Sequence, residues 1–296
     1  MADAPLVHLD GELVPDDEAT VSIHDRGFRF GDAAVETVRV YGGSLFRWAD
    51  HAERLRGTCD RIALDHGLDD EELRSRVRET VEANDLTDAR VRLSISRGVD
   101  DGDLTPPETV DPTVVVTAAE LPRGGVEGSP TWDGPATLQT VKTRHVSDRA
   151  VPARAKTHNY MNRILARIEI RSTGADEALV LDHEGHVTEG TTSNLFFVAD
   201  DALRTPTLDG PVLPGVTRSV VLELAREEGL PVEEGWFTPD DVRSADEVFV
   251  TSTTREIRPV DAVDGIDVDV GPVTTLLSRL YDERVERFYG PDAQNS

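Results

Sequence analysis

Residues 151–169 read VPARAKTHNYMNRILARIE, an extended segment that turns into a helix near Asn159. At the turning point stands Lys156, and the chain has only one other lysine, Lys142. Taking those two from 31 basic residues leaves 29 arginines. Arginine does most of what a surface lysine does, but it does not release its proton in a protein and forms no Schiff base with a carbonyl. The lysine retained here is therefore a candidate for amine chemistry. Arg149 and Arg154 lie close in sequence, and neighbouring cations favour the neutral amine that such chemistry needs.

The remaining composition narrows the classes of function. Fifty-seven acidic residues against 31 basic ones give a formal charge of −26 and a pI near 4.6. The acid is spread along the chain (DDEAT, LDDEEL, VDDGD, AREEG, PVEEG), as in a solvated shell, and 38% hydrophobic residues are enough for a core. An acidic surface with almost no lysine suits a high-salt cytoplasm, where the Debye length falls to roughly 3 Å at 1 M and self-repulsion is screened. It repels nucleic acid and anionic membranes, so neither is an expected partner. The single cysteine, Cys59, excludes an internal disulfide framework and reads as a small core residue. The N-terminal MADAPLVHLDGELV lacks the pattern of a signal peptide, and no apolar run approaches the ~20 residues of a membrane span. A soluble cytoplasmic protein is expected.

Along the chain, Trp48 to about His66 and the segment DDEELRSRVRETVEAN read as helices, followed by strands ARVRLSISRG and PTVVVTAAEL. The Gly- and Pro-rich stretch LPRGGVEGSPTWDGP places a domain boundary there. We expect a small N-terminal domain over 1–121, a linker over 122–135 and a larger domain over 136–296. The second part reads as strand ATLQTVKTR, a helix over about 159–172, strands EALVLD, LFFV and EVFVTS, a helix after VLPGVTRS, and a terminal helix, GPVTTLLSRLYDERVERF. The mixture lacks the strict alternation of a doubly wound sheet and indicates an α/β or α+β protein of two domains.

Three further segments carry candidate chemistry. VTEGTTSN (187–194) sets Glu189 before a glycine and small polar residues, at the edge of an apolar strand. It suits a carboxylate that must approach a ring nitrogen, as pyridoxal phosphate requires, and it is also an ordinary capped turn. LPGVTR (213–218) leads directly into a helix, so Val216 and Thr217 would offer backbone N–H groups and a hydroxyl to a phosphate, or Thr217 simply caps the helix. TSTTRE (251–256) follows strand EVFV with a cluster of hydroxyls suited to an anion, or with a plain turn. His183 and His186 in DHEGH have no third and fourth ligand at usual spacings, so no metal site is expected, and no GxxxxGK[ST] element is present.

Taken in this order, Lys156 and the three segments resemble the class IV pyridoxal-phosphate enzymes, which include branched-chain and D-amino acid aminotransferases and 4-amino-4-deoxychorismate lyase. DRGFRFGDAAVETVRVYGG and HAERL extend the resemblance through the first part of the chain. It implies the two-domain fold of fold-type IV enzymes, with a small α/β domain and a larger domain built on a pseudo-barrel of strands, and a homodimer. It implies that Lys156 carries pyridoxal 5'-phosphate covalently and later moves the proton between the substrate Cα and C4′. Glu189 would pair with the pyridine nitrogen, and Arg54, Val216, Thr217 and Thr253 would hold the phosphate. Tyr160 would lie near the phenolic oxygen, and Thr254 and Arg255 near the substrate carboxylate.

The subfamilies differ in how they hold substrate. Branched-chain enzymes usually show KxGGNY, whereas KTHNY puts Tyr160 four residues after Lys156. The loop SRGVDDGDLTPP has neither the Arg-x-His carboxylate trap of D-amino acid aminotransferases nor the Gly-Arg-Gly element of the lyases. TGADEALVLDHEGHVTE nevertheless looks like the lyase version of that segment. Arg92 stands where branched-chain enzymes have a substrate-side arginine, and Arg97 is a second candidate carboxylate holder; both also read as solvent-facing strand residues. The expected activity is an aminotransferase passing an amino group from a branched-chain or other apolar amino acid to 2-oxoglutarate. The alternative is a lyase releasing pyruvate and 4-aminobenzoate from aminodeoxychorismate.

Overall fold

The computed structural model describes residues 4–100, 102–122 and 130–289; residues 123–129 of the expected linker lie outside them. The chain divides into two compact units, one formed by residues up to 122 with 155–159 and 289, the other by 130–154 with 160–288.

The first unit contains β1 (Leu6–Leu9), β2 (Glu12–Pro15), α1 (Arg26–Phe30), β3 (Ala33–Tyr41), β4 (Ser44–Leu45), α2 (Trp48–Arg61), α3 (Asp70–Ala83), β5 (Ala89–Ser96) and β6 (Thr113–Glu120). Its six strands form an antiparallel sheet in the order β2-β1-β6-β5-β3-β4. Alternation in β5 explains which face is covered. Ala89, Val91, Leu93 and Ile95 join Leu55 and Cys59 of α2 and Leu73, Val77 and Val81 of α3 in one core, while Arg90 and Arg92 are exposed on the other face. Burying each such Val, Leu or Ile contributes roughly 1.5–3 kcal/mol. Cys59 lies in this core as the sequence suggests, and burial pushes its thiol up to about 12. The register of β3 against β5 sets Glu36 opposite Leu93, so a carboxylate is carried on the helix-covered face.

The DRGFRFGD segment (25–32) is a knot of charges at the start of β3. Asp25 caps α1 by accepting from Gly27 N (2.7 Å) and Phe28 N (3.3 Å), and Ser96 Oγ donates to its other oxygen (2.7 Å). Asp32 lies between two buried guanidiniums, accepting from Arg26 Nε at 2.9 Å and from Arg97 Nε and Nη2 at 2.8 and 3.1 Å. Those cations hold its carboxyl below the usual range against the opposing effect of burial.

The second unit comprises β7 (Ala136–Arg144), α4 (Met161–Glu169) with a 3₁₀ turn at Ile170–Ser172, β8 (Glu177–Leu181), β9 (Val187–Glu189), β10 (Asn194–Ala199), β11 (Ala202–Pro206), α5 (Val216–Glu227), β12 (Val232–Gly235), α6 (Pro239–Arg243), β13 (Glu247–Ser252), β14 (Glu256–Val263), β15 (Ile266–Asp267) and α7 (Pro272–Tyr289). The main path of the sheet runs β12-β11-β10-β13-β14-β7-β8-β9, with β15 paired to β14, and it forms the curled half-barrel expected from the sequence. β7 is parallel to both β8 and β14. β8, EALVL, is buried along its whole length, as a strand covered on both faces must be. Phe196 of β10 stacks on Phe249 of β13 with centroids 5.0 Å apart.

Among the differences from the sequence reading, one is a helix boundary and one is a whole strand. α2 stops at Arg61, because the chain takes a left-handed turn at Ala63 (φ 50°). β14 is absent from the sequence reading; it contains Pro259, a residue that ordinarily argues against an interior strand. Pro259 pairs with Phe249 on one side, and the ladder to β7 starts only at Val260, so its missing N–H costs no bond there. No described helix is long and apolar enough to cross a membrane.

Arg97→Ala should cost about 3 kcal/mol in urea-unfolding free energy, the low end for breaking a buried ion pair, since Arg26 still holds Asp32. A loss below about 1 kcal/mol, the range of an exposed pair, would show that the knot is not a stabilising feature.

Candidate active site

In the first unit, residues 155–159 return to the edge of β3. Val35 N donates to Lys156 O (2.9 Å), His158 N donates to Ala33 O (3.1 Å), and Lys156 N donates to Thr58 Oγ1 (3.0 Å). The lysine backbone is thereby held on both sides while its side chain is half-buried. The sequence places Lys156 inside the second domain; these bonds place its segment with the first unit.

Arg54 extends from α2 to Glu36 on β3. Nε donates to Oε1 at 2.8 Å and Nη2 to Oε2 at 2.7 Å, and His51 Nδ1 lies 2.8 Å from Oε2. Burial opposes the charge on Glu36, but Arg54 and His51 together hold its carboxyl well below the ordinary range. The planar carboxylate thus orients the planar guanidinium. Neither Glu36 nor His51 was marked from sequence; HAERL shows the His-x-x-Arg spacing that puts both on one helix face.

The open face of this sheet carries Arg92 and His158. His158 Nε2 lies 3.1 Å from Ser94 Oγ, and burial, helped by Arg92, lowers its pKa to about 4. Arg92 is exposed. Arg97 is not available to a ligand in the way the sequence suggested. Besides Asp32, its guanidinium donates to Ala63 O (2.6 Å) and Ile62 O (2.7 Å), and it is buried. Its donors are committed within the fold, so it is a structural tie.

In the second unit the centre is Glu189, at the end of β9 and 2% exposed. Oε1 accepts from Arg163 Nη2 of α4 at 2.8 Å and lies 3.3 Å from His145 Nε2. Oε2 accepts from Leu213 N at 3.1 Å and Asn194 Nδ2 at 3.3 Å. Burial alone would raise its pKa, but Arg163 and then His145 reverse that and hold it below the ordinary value. A fully buried carboxylate is thus kept anionic by its own protein. The residues around it are fixed by a second acid, Glu177 of β8, whose Oε1 accepts from Thr191 N (3.0 Å) and from the Thr191 hydroxyl. This clamp shapes the turn between Glu189 and Asn194.

Asn194 also donates to Leu213 O (2.9 Å), which ties β10 to the approach to α5. Gly215 is the N-cap of α5, and no side chain caps that helix, so its first N–H groups remain available. Val216 and Thr217, the predicted anion holders, are buried in its first turn. Thr251, paired across the sheet with Asn194, has a buried hydroxyl with no hydrogen-bond partner among the described residues. The predicted Thr253 and Thr254 lie half-buried in the turn between β13 and β14, and Arg255 is exposed there. Tyr160 stands at the N-cap of α4 with Arg163 over its ring, 5.5 Å from the centroid. Tyr160, Arg163, Thr191, Ser252 and Arg255 share a cavity of about 310 Å³.

The second unit therefore offers an ionised, desolvated carboxylate that can accept a heterocyclic N–H, an uncapped helix N-terminus suited to a phosphate, and an orphan hydroxyl beside them. This donor set fits pyridoxal phosphate. Fold and site together define a fold-type IV enzyme. The comparisons agree: the sequence profile of class IV amino-transferases matches residues 33–263. A putative branched-chain-amino-acid aminotransferase of Methanocaldococcus jannaschii is 36% identical over 94% of this chain and 95% of its own length. D-alanine aminotransferase of Listeria monocytogenes is 34% identical over 96% of this chain and 97% of its length. The crystal structure of the branched-chain aminotransferase of Thermoproteus uzoniensis with norvaline superposes with a TM-score of 0.88 at 31% identity, covering 98% of this chain and 97% of that one. The chain belongs to the class IV aminotransferase family, and it is a pyridoxal-phosphate-dependent enzyme.

A Cβ at Gly215 would fall 2.0 Å from Asn194 Oδ1, displacing the amide that holds Glu189. Gly215→Ala should weaken pyridoxal phosphate binding by about tenfold or more, or ~1.4 kcal/mol, measured by fluorescence titration of apoprotein that retains its circular dichroism. Unchanged affinity would show that this junction does not shape the cofactor site.

Proposed function

We propose that the enzyme transfers an amino group from an amino acid with a branched or other apolar side chain to 2-oxoglutarate, acting as a homodimer in a high-salt cytoplasm. The observation that carries the cofactor assignment is the buried anionic Glu189, since a carboxylate kept charged at such desolvation suits a cationic ring N–H. The named relatives transfer amino groups, which favours transamination over elimination. The absent Arg-x-His element favours the branched-chain direction over D-alanine. The acidic, lysine-poor composition supports the high-salt setting, and the dimer follows from the family resemblance.

In this reading Lys156 Nζ holds the cofactor and moves the proton at the substrate Cα. Glu189 accepts the ring N–H, and Tyr160 orients the phenolic oxygen. Val216, Thr217, Thr253 and the Glu36-oriented Arg54 hold the phosphate, while Arg92, Thr254 and Arg255 receive the substrate carboxylate. When bound, pyridoxal phosphate supplies an electron sink for the Cα carbanion. Arg92 and Arg255 are exposed and Arg97 is committed to Asp32, so the first two carry the assignment.

Borohydride reduction of the purified enzyme should fix the cofactor on the Lys156 peptide, and Lys156→Ala should lower turnover by about 10²–10⁴-fold or more. Leucine, isoleucine or valine with 2-oxoglutarate should yield glutamate. Faster turnover of D-alanine, or release of pyruvate from aminodeoxychorismate without an acceptor, would overturn the substrate assignment and leave the cofactor assignment standing.

A further inference from the structure

His145, immediately after β7, is a buried histidine that none of the roles above uses. Its two ring nitrogens both meet acceptors. Nδ1 lies 2.9 Å from the carbonyl oxygen of Val146, and Nε2 lies 3.3 Å from Glu189 Oε1. A carbonyl oxygen has no hydrogen to give, so Nδ1 carries one. Glu189 Oε1 already accepts from Arg163 at 2.8 Å and belongs to an ionised carboxylate, so Nε2 must carry the other hydrogen. Neutral imidazole has one N–H and cannot satisfy both contacts; imidazolium can.

The surroundings agree with a charged ring. Among the described residues, the charged groups that face it are Glu189 from β9 and Arg163 from α4, and its backbone N–H donates to Leu181 O of β8 (2.8 Å). Burial and Arg163 both act against the positive form, but the carboxylate and the Val146 carbonyl outweigh them, so the pKa of the ring is raised above the ordinary histidine value.

We propose that His145 is a positioning residue of the aminotransferase, a buried imidazolium that fixes Glu189 Oε1 together with Arg163 and places a second positive charge behind the carboxylate. The arrangement divides the carboxylate. Among the described residues, Oε1 is held by two cations, and Oε2 is held only by the neutral donors Leu213 N and Asn194 Nδ2. Oε2 is thus the oxygen with the larger share of unneutralised charge and the better acceptor for a further cationic N–H. The two flanking cations also lower the proton affinity of Glu189, so a proton shared with it stays on the heterocycle. The inference rests on the assignment of Glu189 to the ring nitrogen, but the protonation state of His145 is tested without it.

In cofactor-loaded enzyme labelled with ¹⁵N-histidine, the signal absent from His145→Gln should show both ring nitrogens protonated at pH 7 and should titrate above 6.5. One unprotonated nitrogen at pH 7 would overturn the proposal whatever the cofactor contacts, and this needs only that the wild-type enzyme be well folded. His145→Gln keeps a neutral donor and removes a charge. The pH midpoint of the holoenzyme's visible band should move upward by about half a unit or more, because protonation nearby no longer meets that cation. An unchanged midpoint in variant protein that retains its cofactor would reduce His145 to a packing role. If Glu189→Ala retained cofactor with wild-type affinity and band position, the ring-nitrogen assignment would fail, whereas the nitrogen shifts of His145 would still report its charge.

Discussion

The second unit is organised around one costly interaction, the burial of the Glu189 carboxylate in its ionised form. An isolated carboxylate at that depth would take up a proton instead. Four donors prevent this: a guanidinium from α4, an imidazole after β7, an amide from the start of β10 and a backbone N–H at Leu213. These donors come from sequence positions 145 to 213, so the carboxylate can be buried as an anion only in the assembled second unit. The Glu177 clamp on the Thr191–Ser193 turn and the tight junction at Gly215 are consequences of the same demand. Each removes freedom from a residue that must aim at Glu189.

The first unit solves a parallel problem with arginine. Glu36 is carried on the covered face of β3, where it would be an uncompensated charge without Arg54 and His51. In return it fixes the plane of the Arg54 guanidinium. The Asp32 knot does the same for Arg26 and Arg97, and it also joins the turn before β3 to the ends of α2 and β5. Beside these charge clusters, the 155–159 segment lies along β3, and the Lys156 main chain is held by the Val35 N–H on one side and the Thr58 hydroxyl on the other.

Much of this was legible in the chain. Strands with clear alternation or continuous apolar runs, such as β5, β6 and β7, carry a local signal, and ATLQTVKTR coincides with β7 from Ala136 to Arg144. Lys156 and Glu189 stood out because each is chemically out of place: a lysine in an arginine chain and an acid beside an apolar strand. The partners were not legible. Arg163 reads as the polar face of a helix, His145 as a residue after a strand, and Glu36 as the one acid in an apolar run. Their roles arise from register and long-range pairing, which no local pattern encodes. Arg97 misled for the same reason: a strand-end arginine looks ligand-facing until Asp32, 65 residues away, is found beneath it. The return of residues 155–159 to the first unit is likewise a tertiary fact, set by backbone bonds to Ala33 and Val35.

The relatives match this chain along nearly its whole length while carrying different names, branched-chain and D-alanine aminotransferase. What the framework demands in this chain is an anion at Glu189, and substrate choice is layered on that requirement. Selective ¹³C labelling of glutamate carboxyl carbons, with the Glu189 signal assigned by its absence in Glu189→Gln, reads that anion directly. This carboxyl should stay ionised as pH falls through 4.5, the ordinary glutamate value, and protonate only below it. Protonation at or above 4.5 would contradict the claim that its donors outweigh its burial.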